Sequence, residues 1–291
     1  MLKTVWLTDN KDLSKGCAML LGGFDGLHVG HRKLLSRAKE SGLPVGVMTI
    51  SGGKETKGLF TFSERERVFK ENGADFVFEL PFLEIKNLDA EGFLNLLKTE
   101  FSPKLFVCGE DFRFGCGAKG TPKSIVSWGQ VRVDVLPLVE IDGEKVSSGT
   151  VKDYLVQGDV EKANALLGQR FFAIGKVVKD RGVGKTLGFP TANVDYPEDK
   201  LKIKEGVYET RVAVDGKAYK GITNFGARPT FANETKRLET HLDGFDGDLY
   251  GREIKIEFVK YLREIKKFDN VDGLKRQLES DVLKIRGNTN D

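Results

Sequence analysis

Residues 21–31, LGGFDGLHVGH, constrain this chain more than any other stretch, because two of its three histidines stand there. The apolar run 18–21 is typical of a buried parallel strand, and the basic segment 29–39 predicts a helix. A glycine-rich loop between a strand and a helix N-terminus presents backbone N–H groups and the positive end of the helix dipole to an anion. The spacing therefore predicts a phosphate site at which the rings of His28 and His31 point at the same group.

The predicted elements change in character near residue 168. Before it, apolar strand segments alternate with helical segments, which is typical of a doubly wound parallel sheet whose ligand lies at the carboxyl ends of the strands. After it, period-2 strands and glycine turns predict an antiparallel β-barrel with a terminal helix packed against it. Because a domain usually takes about 100–200 residues, we expect two domains, 1–168 and 169–291, in an α/β plus all-β fold.

The same patterns give the bounds of individual elements. The predicted strands are 18–21, 45–50, 76–80, 104–107 and 131–136 in the first domain and 171–178, 207–214, 217–223 and 253–260 in the second. The predicted helices start at Val29, at Ser63 with Glu66 completing a capping box, at Asp89, at 150 and at 160. A last helix, from Asn270, carries an apolar face made of Val271, Leu274, Leu278, Val282 and Ile285.

The composition argues against several classes of partner. The formal net charge is +3, and the charged residues, 31% of the chain, carry both signs interspersed, unlike the concentrated basic face of a nucleic-acid-binding protein. No apolar run approaches the length of a membrane span, and residues 1–16 lack the hydrophobic block of a signal peptide. We therefore expect a cytoplasmic protein whose partners are small molecules, with no nucleic acid and no membrane. The oligomeric state stays open.

The three cysteines, Cys17, Cys108 and Cys116, have no paired spacing. Neither a disulfide framework nor a zinc site is therefore predicted.

Several motifs, taken in order, resemble one known family. The string 24–31 resembles the His-x-Gly-His signature of nucleotidyltransferases and, at full length, the adenylyltransferase half of bacterial bifunctional riboflavin kinase/FAD synthetases. CGEDFRFG at 108–115 and KVSSGTVK at 145–152 continue that resemblance, and GVGKTLGFPTAN at 182–193 is similar to the riboflavin kinase signature. Further strings follow in the family's order: GVY at 206–208, NFGARPTF at 224–231, ETHL at 239–242, DLYG at 248–251 and LREIKKF at 262–268.

For the first domain, the resemblance implies a transferase that moves the adenylyl group of ATP onto FMN, forming FAD and releasing pyrophosphate. It implies that His28 and His31 are catalytic. The implied ATP and phosphate ligands are Gly23, Phe24, Asp25, Gly30, Asp111, Lys145, Ser147, Ser148 and Lys152. Ser147 and Ser148 are equally good candidates for the N-cap of the helix near 150, and capping and phosphate contact can coexist.

For the second domain, the resemblance implies transfer of the γ-phosphoryl group of ATP to the 5′-hydroxyl of riboflavin, with Glu239 as the general base. It implies Mg²⁺ as cofactor, held by the neutral oxygens of Thr191 and Asn193. The other implied ligands are Gly184 and Lys185 for ATP, with Thr191 and Asn193 on its phosphates, and Arg228, Arg263 and Phe268 for the flavin. An ordinary barrel-corner role for the segments 228–229 and 263–268 stays open.

The first domain departs from the family pattern in three places. TISGGK at 49–54 stands where the family has Thr-Phe-x-Pro-His-Pro, Lys145 and Lys152 replace arginines, and Gly149 replaces Thr or Ser. A lysine supplies charge without the planar fork that holds two phosphate oxygens at once. We therefore expect adenylylation to be the weaker activity.

Two other interpretations stay open. One is a different enzyme with the same signature, such as a small aminoacyl-tRNA synthetase in which KVSS at 145–148 is the second loop. The other is a flavin sensor or carrier that binds FMN or FAD without turnover.

Overall fold

The computed structural model describes residues 2–8, 12–53, 57–179, 188–227 and 236–287. The chain forms two compact units, Met1–Thr150 and Val151–Asp291. Each unit has its own sheet and core, and each is described by itself below.

The first unit is built on a six-stranded sheet. Its strands are β1 Lys3–Trp6, β2 Cys17–Leu20, β3 Val45–Ser51, β4 Phe76–Pro81, β5 Pro103–Gly109 and β6 Arg132–Leu136, and a small hairpin follows with β7 Glu140–Ile141 and β8 Glu144–Lys145. The strand order is β1-β4-β3-β2-β5-β6. Strands β2 to β6 are parallel, which confirms the predicted parallel sheet, whereas β1, which was not predicted, pairs antiparallel with β4 at one edge.

Helices cover both faces of this sheet. The helices are α1 Val29–Lys39, α2 Phe62–Glu71, α3 Phe82–Ile85, α4 Ala90–Phe101 and α5 Pro122–Trp128. All four residues of β2 are fully buried, so neither of its faces meets solvent. Cys17 and Met19 share a core cluster with Phe93 and Leu97 of α4, whereas α1 contacts β2, β3 and β5 from the opposite side. This two-sided cover is the doubly wound arrangement that the sequence predicts.

Two local predictions in the first unit need correction. Helix α2 is capped by Thr61 and Glu64, each of which bonds the backbone N–H of the other, and not by Ser63 and Glu66. Both pairs have the Ser/Thr-x-x-Glu spacing, so spacing alone could not choose between them. Helix α5 was not predicted, yet Thr121 caps it and Pro122 fills its first position, where a missing N–H costs nothing.

The second unit is a closed barrel of six antiparallel strands with helices before and after it. Helices α6 Ser148–Gln157, which begins at the end of the first unit, and α7 Val160–Leu167 come first. The strands are β9 Phe172–Val178, β10 Thr191–Asp195, β11 Gly206–Val214, β12 Lys217–Ala227, β13 Lys236–Leu242 and β14 Glu253–Arg263, and α8 Val271–Gly287 ends the described chain. The order around the barrel is β10-β13-β12-β11-β14-β9. The predicted barrel is confirmed, and β10 and β13, for which no bounds were predicted, complete it.

Alternate residues of the barrel strands point into its core. Leu238 and Phe225 are fully buried there, and the hydroxyls of Thr210, Thr223 and Thr240 form a buried chain with Oγ1 to Oγ1 distances of 2.8 and 2.9 Å. The residues between them point out of the barrel. The outer face is where the predicted kinase residues of β10 and β13 lie.

Helix α8 packs on the outer face through its C-terminal half. Val282 and Ile285 are buried in a cluster with Val207 and Ile222 of the barrel, as the predicted apolar face requires. Val271, the first member of that face, is 60% exposed instead.

Helix α7 is tied to the barrel. The side-chain amide of Asn164 donates to the carbonyl of Phe258 at 2.9 Å, and its oxygen accepts from the N–H of Phe171 at 2.6 Å. Lys260 and Glu161 form an ion pair at 3.2 Å. The predicted domain boundary at 168 would cut all three contacts, whereas the compact units meet between Thr150 and Val151.

We expect the fragment 151–291 to be more stable than the fragment 169–291. The shorter fragment lacks α7, whose Ala163, Leu166 and Leu167 are buried, and losing even one such leucine side chain costs about 2–5 kcal/mol. Urea unfolding followed by circular dichroism measures both free energies. Equal stabilities would support the boundary at 168.

Candidate active sites

The first unit holds a cavity of about 300 Å³ at the carboxyl ends of its parallel strands. Hydrogen bonds tie the loops that form it: Leu21 N–H donates to Val107 O at 2.9 Å, and Leu138 N–H donates to a carboxylate oxygen of Glu110 at 3.1 Å. Val146 N–H donates to Val139 O and closes the hairpin β7–β8 beside the cavity. The predicted residues that line it are Gly23, His28, Gly30, His31, Asp111, Lys145, Ser147 and Ser148.

The two histidines of the first motif are stacked, with ring centroids 3.5 Å apart. His28 is the N-cap of α1. Its Nδ1 accepts a hydrogen bond from the backbone N–H of His31 at 3.2 Å, and Nδ1 of His31 donates to the carbonyl of Gly26 at 2.8 Å. A Cβ at Gly30 would lie 3.1 Å from the His28 ring. Glycine at position 30 therefore makes room for this arrangement.

These partners assign the proton positions of the neutral rings. Because Nδ1 of His28 accepts, a neutral His28 carries its proton on Nε2 and can donate from there. Because Nδ1 of His31 donates to Gly26, the Nε2 of a neutral His31 is an acceptor. When both rings are neutral, only His28 has a ring N–H left for an anion in the cavity.

Burial keeps both rings neutral. It lowers the pKa of His28 to about 4, and the nearby Asp111 carboxylate only partly opposes the shift. Burial and the neighbouring His28 likewise hold the pKa of His31 well below its ordinary range. The positive potential that meets an anion here therefore comes from the N-terminus of α1 and from lysine, not from imidazolium.

A salt bridge joins two predicted ligands at this cavity. Lys145 Nζ lies 2.6 Å from Asp111 Oδ2, and both side chains are about half exposed. An anion that recruits Lys145 therefore competes with Asp111 for it. Phe112 and Arg113, which also line the cavity, were not singled out, although they stand in the same CGEDFRFG string as Asp111.

Ser147 has the capping role that the sequence left open. Its Oγ accepts from the backbone N–H of Thr150 at 3.1 Å and lies 3.0 Å from the Thr150 hydroxyl. Ser148 begins α6 and lines the cavity with Ser147. Capping and exposure to the cavity thus coexist at Ser147.

Three residues predicted to bind the nucleotide do not line the cavity. Phe24 is buried, with φ of +39°, and its ring packs against His31 at 4.4 Å between centroids. Both carboxylate oxygens of Asp25 accept from the N–H of Leu59 at 3.0 Å. Lys152 lies on α6, beyond the end of the first unit. Phe24 and Asp25 shape the loop that presents the glycines.

In the second unit, strand register brings the predicted kinase residues into one row. Glu239 of β13 is paired with Asn193 of β10 on one side and with Asn224 of β12 on the other. Asn224 is paired in turn with Val207, and Val207 with Arg263. Directly opposed residues share a face of the sheet, so this row crosses five strands on the outside of the barrel. Asn224 was not singled out, although it opens the quoted string NFGARPTF.

Two amide oxygens beside Glu239 are buried and unsatisfied. The Oδ1 atoms of Asn193 and Asn224 have no hydrogen-bond partner among the described residues, and Asn193 donates only a long bond, 3.4 Å, to Thr191 O. Buried polar atoms are almost always paired, and these two oxygens flank one carboxylate, so both are available to a ligand. Neutral oxygens next to a carboxylate are ligands that Mg²⁺ accepts, and the residues therefore fit the predicted cation.

Four members of this row, all except Asn193, line a second cavity, of about 340 Å³. We call it the flavin-side cavity. Its polar wall includes Thr191, Asn224, Glu239 and His241, and its apolar wall includes Phe189, Ile222, Phe268, Leu274 and Leu278. One wall therefore suits a flat apolar ring system and the other a hydroxylated chain. His241, which the sequence did not assign, is held by its Nδ1, which donates to Pro190 O at 3.0 Å.

Arg263 and Phe268 both line the flavin-side cavity, as predicted, but Arg263 is already engaged. Its Nη2 lies 2.7 Å and its Nε 2.9 Å from Oδ2 of Asp281, whose side chain is completely buried. Nη1 donates to Glu264 O at 3.1 Å. Arg263 thus joins the end of β14 to α8.

A third cavity, of about 380 Å³, lies beside the flavin-side cavity and shares Thr191 with it. The loop 245–250, which includes the first three residues of the DLYG string, forms its other wall. Gly184, Lys185 and Arg228 lie outside the described residues.

The low pKa of His28 predicts a pH dependence of stability. The unfolded state binds the His28 proton near pH 6.5 and the folded state only near pH 4, so the stability from neutral His28 is full above pH 6.5 and is lost as the pH falls toward 4. Asparagine at position 28 keeps an N-cap acceptor without titrating. From pH 7 to pH 5, we expect the wild type to lose about 1–2 kcal/mol more than His28→Asn.

Tryptophan fluorescence during urea unfolding measures this difference, because both tryptophans, Trp6 and Trp128, lie in the first unit. The gap between the two proteins should be constant from pH 7 to pH 8. Parallel stability curves down to pH 5 would contradict the low pKa.

Comparison with known proteins matches both halves of the chain. A FAD synthetase family model matches residues 10–150, and a riboflavin kinase family model matches residues 167–288. The bifunctional riboflavin kinase/FMN adenylyltransferase of Bacillus subtilis (strain 168) is 33% identical over 96% of both chains. That of Escherichia coli (strain K12) is 35% identical over 94% of this chain and 92% of its own.

A crystal structure described as a macrolide-efflux protein from Streptococcus pneumoniae superposes with a TM-score of 0.86 at 29% identity, covering 96% of this chain and 95% of its own. Within the described ranges, no helix is long and apolar enough to cross a membrane. Two family models in the same order as the two sites, and relatives aligned over nearly their full length, give one conclusion. The chain belongs to the bifunctional riboflavin kinase/FMN adenylyltransferase family.

Proposed function

We propose that the second unit makes FMN from riboflavin and ATP, and that the first unit makes FAD from FMN and ATP. The main support for kinase activity in the second unit is the position of Glu239. It lines a half-apolar cavity and lies between two buried, unsatisfied amide oxygens. The names of the Bacillus subtilis and Escherichia coli relatives support both activities.

In the kinase reaction, Glu239 accepts the proton of the riboflavin 5′-hydroxyl as that oxygen attacks the γ-phosphorus of ATP. The bond from the γ-phosphorus to the bridging oxygen breaks, and ADP leaves with its electron pair. A carboxylate within hydrogen-bond reach is the base such a hydroxyl needs. Its place in the row keeps Glu239 at the polar end of the flavin-side cavity.

Mg²⁺ would be held by Thr191, Asn193 and Asn224 and would neutralise charge on the transferring phosphates. Asn224 joins the two residues predicted from sequence, because its Oδ1 is as unsatisfied as that of Asn193.

The two neighbouring cavities give the two substrates separate places. The isoalloxazine ring would lie against the apolar wall that includes Leu274, Leu278 and Phe268, with its ribityl chain toward Glu239. ATP would lie in the cavity formed by the loop 245–250. Thr191 lines both cavities, which supports phosphoryl transfer at that point.

In the adenylyltransferase reaction, an FMN phosphate oxygen attacks the α-phosphorus of ATP, and pyrophosphate leaves. Catalysis here requires alignment and neutralisation of phosphate charge. His28 would donate from Nε2, the N-terminus of α1 would supply backbone N–H groups, and Lys145 would add a positive charge after leaving Asp111. Lys145 must first break its salt bridge with Asp111, and it lacks the planar guanidinium group with which arginine binds two phosphate oxygens at once. We therefore propose that adenylylation is the slower step.

Both reactions consume ATP and act on small molecules, and we propose a cytoplasmic location on that ground.

A flavin carrier without turnover is the remaining alternative. Incubation with riboflavin, ATP and Mg²⁺, followed by chromatography of the flavins, separates the two functions. A carrier would leave riboflavin unchanged.

Glu239→Gln should lower FMN formation by about 10²–10⁴-fold, the range typical of a lost general base. Glutamine preserves the volume and hydrogen bonding of the row but cannot take the proton. The rate of conversion of riboflavin to FMN measures the effect.

Two controls accompany this variant. Glu257→Gln makes the same change on a β14 carboxylate that does not line the flavin-side cavity, and it should leave the rate intact. Conversion of supplied FMN to FAD should also survive in Glu239→Gln. A full rate of FMN formation in that variant would eliminate Glu239 as the base.

Gly23→Ala should lower FAD formation at least about tenfold while leaving the free energy of unfolding of the first unit unchanged. A Cβ at Gly23 would meet no protein atom within 4 Å, so the fold itself does not demand glycine there. Gly23 lines the cavity of the first unit, where a methyl group would keep a phosphate from the backbone N–H groups.

Gly287→Ala is the matched control, because its Cβ also meets open space, on α8 of the second unit. FAD formation, FMN formation and the urea midpoint are compared in the three proteins. Normal FAD formation in Gly23→Ala would show that phosphates do not approach this glycine.

A further inference from the structure

Helix α8 supplies one wall of the flavin-side cavity. Leu274 and Leu278 of this helix line it opposite the barrel strands. Both leucine side chains are half-buried, so a ligand in the cavity would cover their remaining exposed surface. The position of α8 along the barrel therefore determines how wide the cavity is.

Asp281 is the most deeply buried polar anchor of α8. Its carboxylate is completely buried and accepts hydrogen bonds from Nε and Nη2 of Arg263, at 2.9 and 2.7 Å to Oδ2. Gln277 Nε2 donates to Oδ1 at 2.9 Å, and Lys284 Nζ lies 3.9 Å from the same oxygen. Charge-assisted bonds of this kind are strong and directional.

Asp281 lies on the face of α8 that lines the cavity. It follows Leu278 by three residues and Leu274 by seven, and residues spaced by three, four and seven share one helix face. Arg263 ends β14 and pairs with Val207, which lines the cavity from the barrel side. The ion pair therefore fixes the two opposite walls relative to each other.

The other polar ties of α8 lie farther from the cavity. Lys220 donates to Ile285 O at 3.0 Å, and Arg286 binds Asp243 at 2.7 and 2.8 Å. Among the described residues, no hydrogen bond or ion pair joins the first six residues, 271–276, to the barrel. The segment that carries Leu274 is thus held mainly from its C-terminal side, beginning at Gln277 and Asp281.

We propose that Asp281 is a positioning residue for riboflavin: acting through Arg263, it holds Leu274 and Leu278 at the distance from the barrel that the flavin ring requires. The inference rests on the proposed place of riboflavin in the flavin-side cavity. It also assigns Arg263 a task other than the direct flavin contact expected from sequence: three of its five N–H groups donate within the protein, two of them to Asp281.

Asp281→Asn is the first test. The amide keeps the shape but loses the charge that orients Arg263, and one strong bond lost corresponds to about a tenfold change in affinity. Because this wall lies away from the reacting hydroxyl, the variant loses the same binding energy in the ground state and in the transition state. We expect the KM for riboflavin to rise about tenfold, with kcat and the KM for ATP within about twofold of wild type.

Asp243→Asn is the matched control. It breaks the ion pair with Arg286 at the C-terminal end of the same helix, neither partner of which lines the flavin-side cavity, and it should leave the KM for riboflavin unchanged. Wild type is assayed in parallel. Absence of FMN formation by wild type would count against the proposed function, whereas an unchanged KM in Asp281→Asn beside an active wild type would overturn this inference alone.

A double-mutant cycle separates positioning from direct contact. If Arg263 acts through Asp281, the double variant Arg263→Gln/Asp281→Asn should be no worse for riboflavin than Asp281→Asn, because the same link is lost once. Additive increases in KM would show that Arg263 binds the flavin independently and would overturn the proposal. The double variant also leaves no unpaired buried charge, which is the main threat to folding.

Gln277→Ala covers the case in which Asp281→Asn does not fold by circular dichroism. It removes the bond to Asp281 Oδ1 without burying a charge, and it should raise the KM for riboflavin about threefold at unchanged kcat. An unchanged KM in this folded variant, or equal rises in the KM values for riboflavin and ATP, would overturn the proposal.

Discussion

The register of β13 between β10 and β12 is the constraint on which the kinase site depends. With this register, Glu239 faces outward between Asn193 and Asn224, while Thr240 faces inward and joins the hydroxyl chain of the core. A slip by one residue would exchange them, burying a carboxylate in the barrel and exposing the core threonine. Because the barrel is closed, no strand can slip without breaking the pairing of its neighbours. Catalytic geometry and fold stability therefore rest on the same hydrogen bonds.

In the functions proposed above, the two units bind ATP by different physical means. In the first, the chain uses a helix N-terminus, glycines that leave room for phosphate, and histidines kept neutral by burial. In the second, side chains on the outer face of a barrel present neutral oxygens beside a carboxylate. The first arrangement suits a reaction that needs no proton acceptor on the protein, since the FMN phosphate is already a nucleophile. The second suits a hydroxyl nucleophile, which requires a base.

Buried polar groups have contrasting roles in the second unit. Asp281 is fully buried and paired with Arg263 and Gln277, so its desolvation is compensated by three bonds to two partners and it serves as an anchor. The amide oxygens of Asn193 and Asn224 are buried without partners in the described part of the chain, which costs stability. In the proposed function, a bound cation compensates for that cost.

Sequence alone was enough for the fold class, the strand–loop–helix around His28 and His31, and the family, because these depend on local periodicity and on motifs contiguous in the chain. It gave no bounds for β10, which is only five residues long, or for β13, where the polar Thr240 occupies a core position. It also missed Asn224 as a partner of Glu239, the roles of Phe24 and Asp25 in shaping their loop, and the engagement of Arg263 by Asp281. Each of these depends on residues distant in sequence or on the orientation of a side chain. Only the tertiary structure could decide them, because pairing register and helix docking, and not residue type, determine which polar atoms find partners.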